Sequence, residues 1–364
     1  MKINLMKTED VRKQLLSSKY GAGKRVYYGM ITALLAIDVG GSNSRATLVD
    51  LAGNCLGKGR SRGGNPGSNP PDLAAAAIIS AAEAAVSDAG VDLSIAVALL
   101  AMAGPRVNAM QPQIEAAFRA LGLSGPLVFS GDLNALLPSV AAATDGYCVV
   151  CGTGAGAVRI RNGEVDGVTD AAGWLLGDLG SGYWLGHHAA IAVTAALEGR
   201  GPRTALTEAV LDALSIPTTS TAVVDGRPMP LRLLIDAIYA MRPIELAKFA
   251  PLVIANGQDA VAAELLAQSE RYLLADFQQV FAADIAGPVV LGGGIIEHLT
   301  GLPSAISEVM RAAGHVPDIR LSGDGSVGAA VLALRHQGVT VDEAMLATIT
   351  ASVKARVAKS SPSD

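Results

Sequence analysis

The chain has 364 residues, half of them hydrophobic, with 28 Lys and Arg against 33 Asp and Glu and a net charge of −5. At about 100–200 residues per domain this length reads as two lobes, and the acidic balance argues against a nucleic-acid partner. The longest apolar stretches, such as 72–90, are interrupted by acids and small residues; none reaches the ~20 uninterrupted apolar residues of a bilayer span, so a soluble protein with no membrane partner is expected.

The first thirty residues hold seven Lys or Arg and two acids. This leader carries +5, which against a total of −5 leaves −10 for the rest. It has no apolar centre ahead of a small-residue cleavage site, unlike a secretory signal. It reads equally as residues preceding a true start at Met30 or as a genuine extension, and it stands outside the expected fold. Cys55, Cys148 and Cys151 are too few and too unevenly placed for a disulfide framework, which points to a reducing cytoplasm.

From Leu34 onward strands and helices alternate. Apolar β-type runs predict strands at 34–40, 45–51, 94–104, 126–132, 146–155, 156–163, 287–294 and 317–323. A 3.6-residue period predicts helices at 72–90, 113–122, 181–198, 259–283 and 326–337. Hairpin-like pairs sit beside strand–helix–strand crossovers, so the fold class is α/β with mixed sheets. One feature recurs near the start of each half: a strand running into a Gly-rich turn, at "AIDVGGSNS" and "VVCGTGAGA".

A strand–glycine turn–strand hairpin lets backbone N–H groups face an anion with no Cβ in the way, and an Asp before it can hold hydrated Mg²⁺. Two such hairpins can grip a triphosphate from both sides. The Walker pattern, Gly-x4-Gly-Lys-Ser/Thr opening a helix, is absent, and after Gly41 the chain reads "SNSRATLVD", strand-like rather than the helix of a dinucleotide fold. Asp38, Gly40 and Gly41 are followed in order by "SGDLNALL" with Asp132, "CGTGAGA" with Thr153, "GWLLGDLGSGYWLG" and "VVLGGGII". In this order the sequence resembles the actin-like ATPase and sugar-kinase superfamily. Within it, the sequence resembles the N-acetylglucosamine kinase family, in a grouping shared with the ATPase activators of benzoyl-CoA reductase and hydroxyacyl-CoA dehydratase. The likeness runs from Leu34 to about Gln337. Its most specific element is the block Gly173-Trp174, Gly177-Asp178, Gly180-Ser181, similar to the family's G-W-x-x-G-D-x-G-S signature.

The resemblance implies a two-lobed actin-like ATPase (ribonuclease H-like) fold, each lobe a mixed sheet flanked by helices, with a cleft between them. The lobes would span 31–142 and 143–338, and a final helix near 341–357 would pack back on the first. By the same resemblance Asp38, Gly40, Gly41 and Ser42 form the first phosphate loop, with Asp38 holding Mg²⁺ through water; the alternative is a plain hairpin turn. Gly152, Thr153 and Gly154 form the second, and Gly292, Gly293 and Gly294 the adenosine-side loop, each with a Gly-rich turn as its alternative. Asp132 is the expected general base and touches the sugar hydroxyl; the alternative is the N-cap of a helix over 133–143. Asn65, in "GGNPGSNP", would contact the sugar or serve as a turn residue. Gly173 and Trp174 would line the sugar pocket, Asp178 would accept bonds from sugar hydroxyls, and Gly104 would end a strand near the cleft. Ser181 reads as a helix cap. His187 and His188 diverge by about 100° on a helix and read as packing residues, not as a shared metal site.

Three functions follow as candidates. The leading one is an ATP- and Mg²⁺-dependent kinase of a small-molecule amino sugar, foremost N-acetylglucosamine at its 6-hydroxyl, with glucosamine and N-acetylmuramic acid also open, working as a cytoplasmic homodimer. The second is a reductase activator, which needs cysteines placed to share an iron–sulfur cluster. Cys148 and Cys151, three apart on one predicted strand, face opposite sides. The third, a non-catalytic sugar sensor, is disfavoured by the joint presence of Asp38, Asp132 and Thr153.

Overall fold

The computed structural model describes residues 30–67, 69–102 and 107–360; the leader expectation therefore lies outside the described residues. β1 (Ile31–Val39), β2 (Asn43–Val49) and β3 (Cys55–Arg62) form an antiparallel meander. α1 (Pro71–Ala89) leads to β4 (Leu93–Met102), parallel to β1, and α2 (Val107–Ala120) leads to β5 (Leu127–Ser130), parallel to β4. The sheet order is β3-β2-β1-β4-β5.

The same plan is then repeated. β6 (Gly146–Cys151), β7 (Ala155–Arg161) and β8 (Glu164–Asp170) are a second antiparallel meander. A helical excursion follows: α3 (Gly182–Leu197), α4 (Leu206–Ala213), a ribbon of β9 (Val223–Val224) and β10 (Arg227–Pro228), α5 (Met229–Tyr239), α6 (Ala250–Ala255) and α7 (Ala260–Val280). β11 (Val289–Gly292) pairs parallel to β6, α8 (Leu302–Ala312) crosses over, and β12 (Ile319–Leu321) pairs parallel to β11. The order β12-β11-β6-β7-β8 is the first sheet's plan again.

Both faces of the central strands are covered, which is why they read as continuous apolar runs rather than alternating ones. In β1, Leu35 and Ile37 pack with Ile78 of α1 and Phe118 of α2. Leu34 and Ala36 point the other way, into a core with Val331 and Leu334 of α9 (Gly325–His336) and Ile349 of α10 (Glu343–Ser360). In β6 the period of two sends Tyr147, Val149 and Cys151 to one core and Cys148 to another, with Leu137 and Ala141.

Three features differ from the sequence expectation. β3 and β8 were not predicted because "CLGKGRSR" and "EVDGVTD" carry the polar surfaces of outer strands. The stretch 133–143 is not a helix but two 3₁₀ turns, Asp132–Ala135 and Leu137–Ser139; Pro138 lacks an N–H and disfavours α geometry in the residue before it. α9, expected within a second lobe ending at 338, packs on the first sheet.

α10 also lies against that sheet. The Cys55 N–H donates to Ser352 Oγ at 3.1 Å, and Arg356 pairs with Asp88 at 2.6 Å. Ile349 is fully buried in this contact. Ile349→Ala should destabilise the whole protein by about 2–5 kcal/mol, read as a fall in Tm of about 4 °C or more, whereas Val168→Ala, on an exposed side chain, should leave Tm unchanged. A Tm unmoved by Ile349→Ala would show that α10 is not part of the core.

Candidate active site

The first glycine turn joins β1 to β2. The Gly40 N–H donates to the Asn43 carbonyl at 2.9 Å, and the exposed amides of Gly41 and Ser42 have no backbone acceptor among the described residues. Asp38 stands just before it, opposite Arg45 in the β1–β2 register, with the guanidinium at 3.5 Å. Arg45 also reaches Asp324 at 3.9 Å, and Lys58 of β3 pairs with Asp324 at 3.1 Å. Asp324 caps α9, its Oδ1 accepting the Ser326 N–H at 3.0 Å. Burial pushes the Asp38 carboxyl up to about 6; Arg45 opposes this, and the charges of Asp324 and Asp132 add to it.

The second turn joins β6 to β7. The first amides of α3 turn its carbonyls inward: the N–H of Gly182 donates to Gly152 at 2.7 Å and that of Tyr183 to Thr153 at 3.1 Å. The amides of Thr153 and Gly154 have no protein acceptor among the described residues. Asp178 backs this turn, its Oδ1 accepting the Ala155 N–H at 3.1 Å. It is 8% exposed; burial raises its pKa, the Ala155 N–H lowers it, and the charge of Asp170 raises it again. Gly293, at φ +100°, lies so close to the same turn that a Cβ would sit 2.3 Å from the Cys151 carbonyl. Of the three glycines 292–294, Gly293 is thus the one that abuts the second turn, at Cys151 and Gly152.

Asp132 opens the 3₁₀ turn after β5, and the cap position is Gly131, without a side-chain bond. The α-helix cap anticipated for Asp132 is therefore not its role. Its Oδ1 accepts the Leu133 N–H at 2.9 Å, and burial raises its pKa against that bond. Its charge is felt at Asp38.

The Asn65 loop sits on the first turn: the Asn65 N–H donates to the Gly40 carbonyl at 3.3 Å, and Asn69 Nδ2 donates to the Gly41 carbonyl at 3.4 Å. Asn65 Oδ1 accepts the Gly67 N–H at 2.7 Å, an Asx turn that occupies its side-chain oxygen. Trp174 is 37% exposed, its ring 5.5 Å from that of Tyr183, and Gly173 lies beside it at φ +81°. Gly104 lies outside the described residues. Ser181 caps α3, accepting the Trp184 N–H at 3.1 Å. His187 stacks on Tyr183 and His188 on Trp184.

Sequence reasoning missed Arg45, Lys58 and Asp324. A signal for Asp324 was present: Ser-Gly-Asp ends β5 at 130–132 and recurs after β12 at 322–324, the matching strand of the second sheet.

The donors around Asp38 suit a divalent cation held through water. The carboxylate is half-buried, with excess negative charge around it that a hard cation would relieve, which fits Mg²⁺ bound through water. Among the described residues no group of three or more His, Cys, Asp or Glu is arranged to hold a metal, so waters and phosphate oxygens would complete the shell.

Without a cation, burial of Asp38 works against the fold. The carboxyl is raised above its ordinary 3.8, so the folded state holds its proton more tightly than the unfolded state, and stability falls as pH rises from about 4 through about 6. In EDTA, Asp38→Asn should therefore be more stable than the parent by about 1–2 kcal/mol at pH 8, with a smaller gain at pH 5. Urea unfolding at the two pH values measures this; a gain equal at both would remove Asp38 ionisation as its cause.

Residues 35–333 match the BadF/BadG/BcrA/BcrD ATPase family. An N-acetyl-D-glucosamine kinase of Dictyostelium discoideum is 26% identical over 326 residues, covering 83% of this chain and 98% of that protein. A Chromobacterium violaceum structure given as a candidate N-acetylglucosamine kinase superposes with a TM-score of 0.65 at 25% identity, over 84% of this chain and 99% of that one. A Porphyromonas gingivalis structure described in the same way shares the fold, with a TM-score of 0.58 at 19% identity over 84% and 100% of the two chains. With four-fifths of its length matched, the chain is an enzyme of the BadF/BadG/BcrA/BcrD ATPase family.

Proposed function

We propose that the protein transfers the γ-phosphoryl group of ATP to the 6-hydroxyl of an amino sugar, foremost N-acetylglucosamine. The observation that carries this reading is the pair of glycine turns, one after the first strand of each sheet, whose amides take no backbone acceptor among the described residues, together with Asp132, whose charge is felt at the buried Asp38 beside the first turn. The Dictyostelium relative, named for the same activity, supports it.

In this reading the amides of Gly41 and Ser42 face the phosphates from one side and those of Thr153 and Gly154 from the other. Asp38 holds Mg²⁺ through water; when bound, Mg²⁺ neutralises charge on the phosphate oxygens. Gly292, Gly293 and Gly294 give the adenosine a surface without side chains. Asn65, through its amide N–H₂, and Asp178, through the oxygen not taken by Ala155, orient the sugar, with Gly173 and Trp174 along its edge. Asp132 takes the proton of the attacking hydroxyl. Phosphoryl transfer rests mainly on positioning and charge stabilisation, and a desolvated carboxylate is a stronger base than one in water. Closure of the cleft around the sugar would expel water and limit ATP hydrolysis.

The reductase-activator reading needs a shared cluster site. Cys148 and Cys151 are buried in cores on opposite faces of β6, and burial pushes the Cys151 thiol up to about 12. Neither is placed to offer a thiolate to a partner.

The test is a coupled ADP-release assay over a panel of amino sugars and hexoses, in which N-acetylglucosamine should raise turnover most. Turnover no higher with any sugar than with ATP alone would sink the reading. Asp132→Asn should then lower kcat by about 10²-fold or more, as expected for loss of a general base, while sugar and Mg-ATP still bind. Calorimetry on the variant, set beside its kcat, separates loss of the base from loss of binding, and near-normal turnover would overturn the assignment.

A further inference from the structure

Residues 171–180 cross the site with little to hold them by burial. Leu175 and Leu176 are 75% and 84% exposed, and Trp174 is 37% exposed. One carboxylate tethers the segment instead. Asp170, the last residue of β8, accepts the Asp178 N–H on Oδ1 at 2.6 Å and the Leu179 N–H on Oδ2 at 2.8 Å. The approach is so close that a Cβ on Gly177 would lie 2.0 Å from Asp170 Oδ1, so a side chain at 177 would have to push the Asp170 carboxylate out of its bonds.

The backbone is strained on both sides of this clamp. Asp170, Ala171 and Asp178 have φ of 59°, 53° and 57°, a left-handed conformation that non-glycine residues adopt rarely and keep only where their surroundings over-determine it. At Asp178 the over-determination is visible: its N–H is held by Asp170 and its carboxylate by the Ala155 N–H. Its carbonyl accepts the Ser181 N–H at 3.2 Å. Asp178 is thereby locked between the segment and the second glycine turn. A charge-assisted bond to each of two successive amides is the strongest part of that lock.

We propose that Asp170 is a positioning residue for substrate: it fixes the left-handed turn at Asp178, and so aims the Asp178 carboxylate at the sugar. This rests on the sugar-kinase reading above. An acceptor pair is required, since Asn can replace only one of the two carboxylate oxygens as an acceptor. On α7, Asp276 is buried with Oδ2 unpartnered among the described residues, and burial together with the charge of Asp170 pushes its carboxyl up to about 6.

The experiment is a double-mutant cycle on Asp170→Asn, Asp178→Asn and the pair, with N-acetylglucosamine and Mg-ATP as substrates. Asp170→Asn should raise the sugar KM about tenfold, a typical effect for one lost charge-assisted bond, and leave the Mg-ATP KM within about twofold. Because Asp170 acts through Asp178, the double variant should be no worse for sugar than Asp178→Asn alone. An unchanged sugar KM in Asp170→Asn, or single effects that multiply in the double variant, overturns the proposal. Amide hydrogen exchange of peptides covering 176–182 separates this from failure of the functional reading. If the wild type shows no sugar-dependent ADP release, the kinase reading falls and the substrate role of Asp170 falls with it, while faster exchange in Asp170→Asn still establishes the clamp. If the wild type is active and exchange is unchanged in Asp170→Asn, the clamp itself is refuted.

Discussion

The site depends on how closely α9 passes Asp38. The chain leaves β12 in the second sheet, runs through Ser322, Gly323 and Asp324, and starts α9 at Gly325, where a Cβ would lie 2.5 Å from Asp38 Oδ2. From there α9 is buried against the first sheet through Val327, Ala329, Ala330, Val331, Ala333 and Leu334. The second half of the chain thus enters the core of the first at the one point where a carboxylate must be kept. That crossing strips water from Asp38, and Arg45, at 3.5 Å, only partly compensates. A half-buried acid with too little positive charge around it is poised for a cation and unfavourable without one.

Much of this was legible in the sequence, for reasons that can be traced residue by residue. β1, β4 and β6 are covered on both faces and read as unbroken apolar runs. The divergence of Cys148 and Cys151 followed from the two-residue period of a strand. The glycine turns were marked by composition, because the backbone approach at Gly293 admits no side chain. What could not be read falls into two kinds. Outer strands such as β8 face solvent and lose the apolar pattern. Contacts made by distant parts of the chain, such as Lys58 with Asp324 across 266 positions, leave no local trace. The turn at Asp132 failed differently: Ala and Leu around it favour a helix, and Pro138 together with the packing of Leu137 and Ala141 in a separate core prevailed.

The repeated plan makes the differences between the halves informative. Each sheet places a glycine turn after its first strand, and each turn leaves amides outward while its N-terminal glycine closes a short bond, Gly40 to Asn43 and Gly152 to Gly154. The supports differ. The first turn rests on the Asn65 loop, an Asx turn of its own, and the second rests on the N-terminus of α3 and the Asp178 carboxylate. Each candidate sugar segment is therefore bonded to a glycine turn.

The second Ser-Gly-Asp shows how one local template yields two chemistries. Asp132 and Asp324 follow equivalent strands, yet their environments push them in opposite directions. At Asp132 burial prevails over the bond from the Leu133 N–H, and the carboxyl is raised. At Asp324 burial acts the same way, but Lys58 and the Ser326 N–H outweigh it and hold the group below its ordinary value. Carboxylates pushed apart in this manner take different tasks. The raised one, near enough to Asp38 for its charge to be felt there, has the character of a proton acceptor; the lowered one stays charged and caps α9 beside Asp38. Had Lys58 been an apolar residue, Asp324 would lose its counter-charge, and the repulsion it already exerts on Asp38 would go unopposed except by Arg45. The positive charges of β2 and β3 are thus what allow two aspartates to stand together where the chain crosses from one sheet to the other.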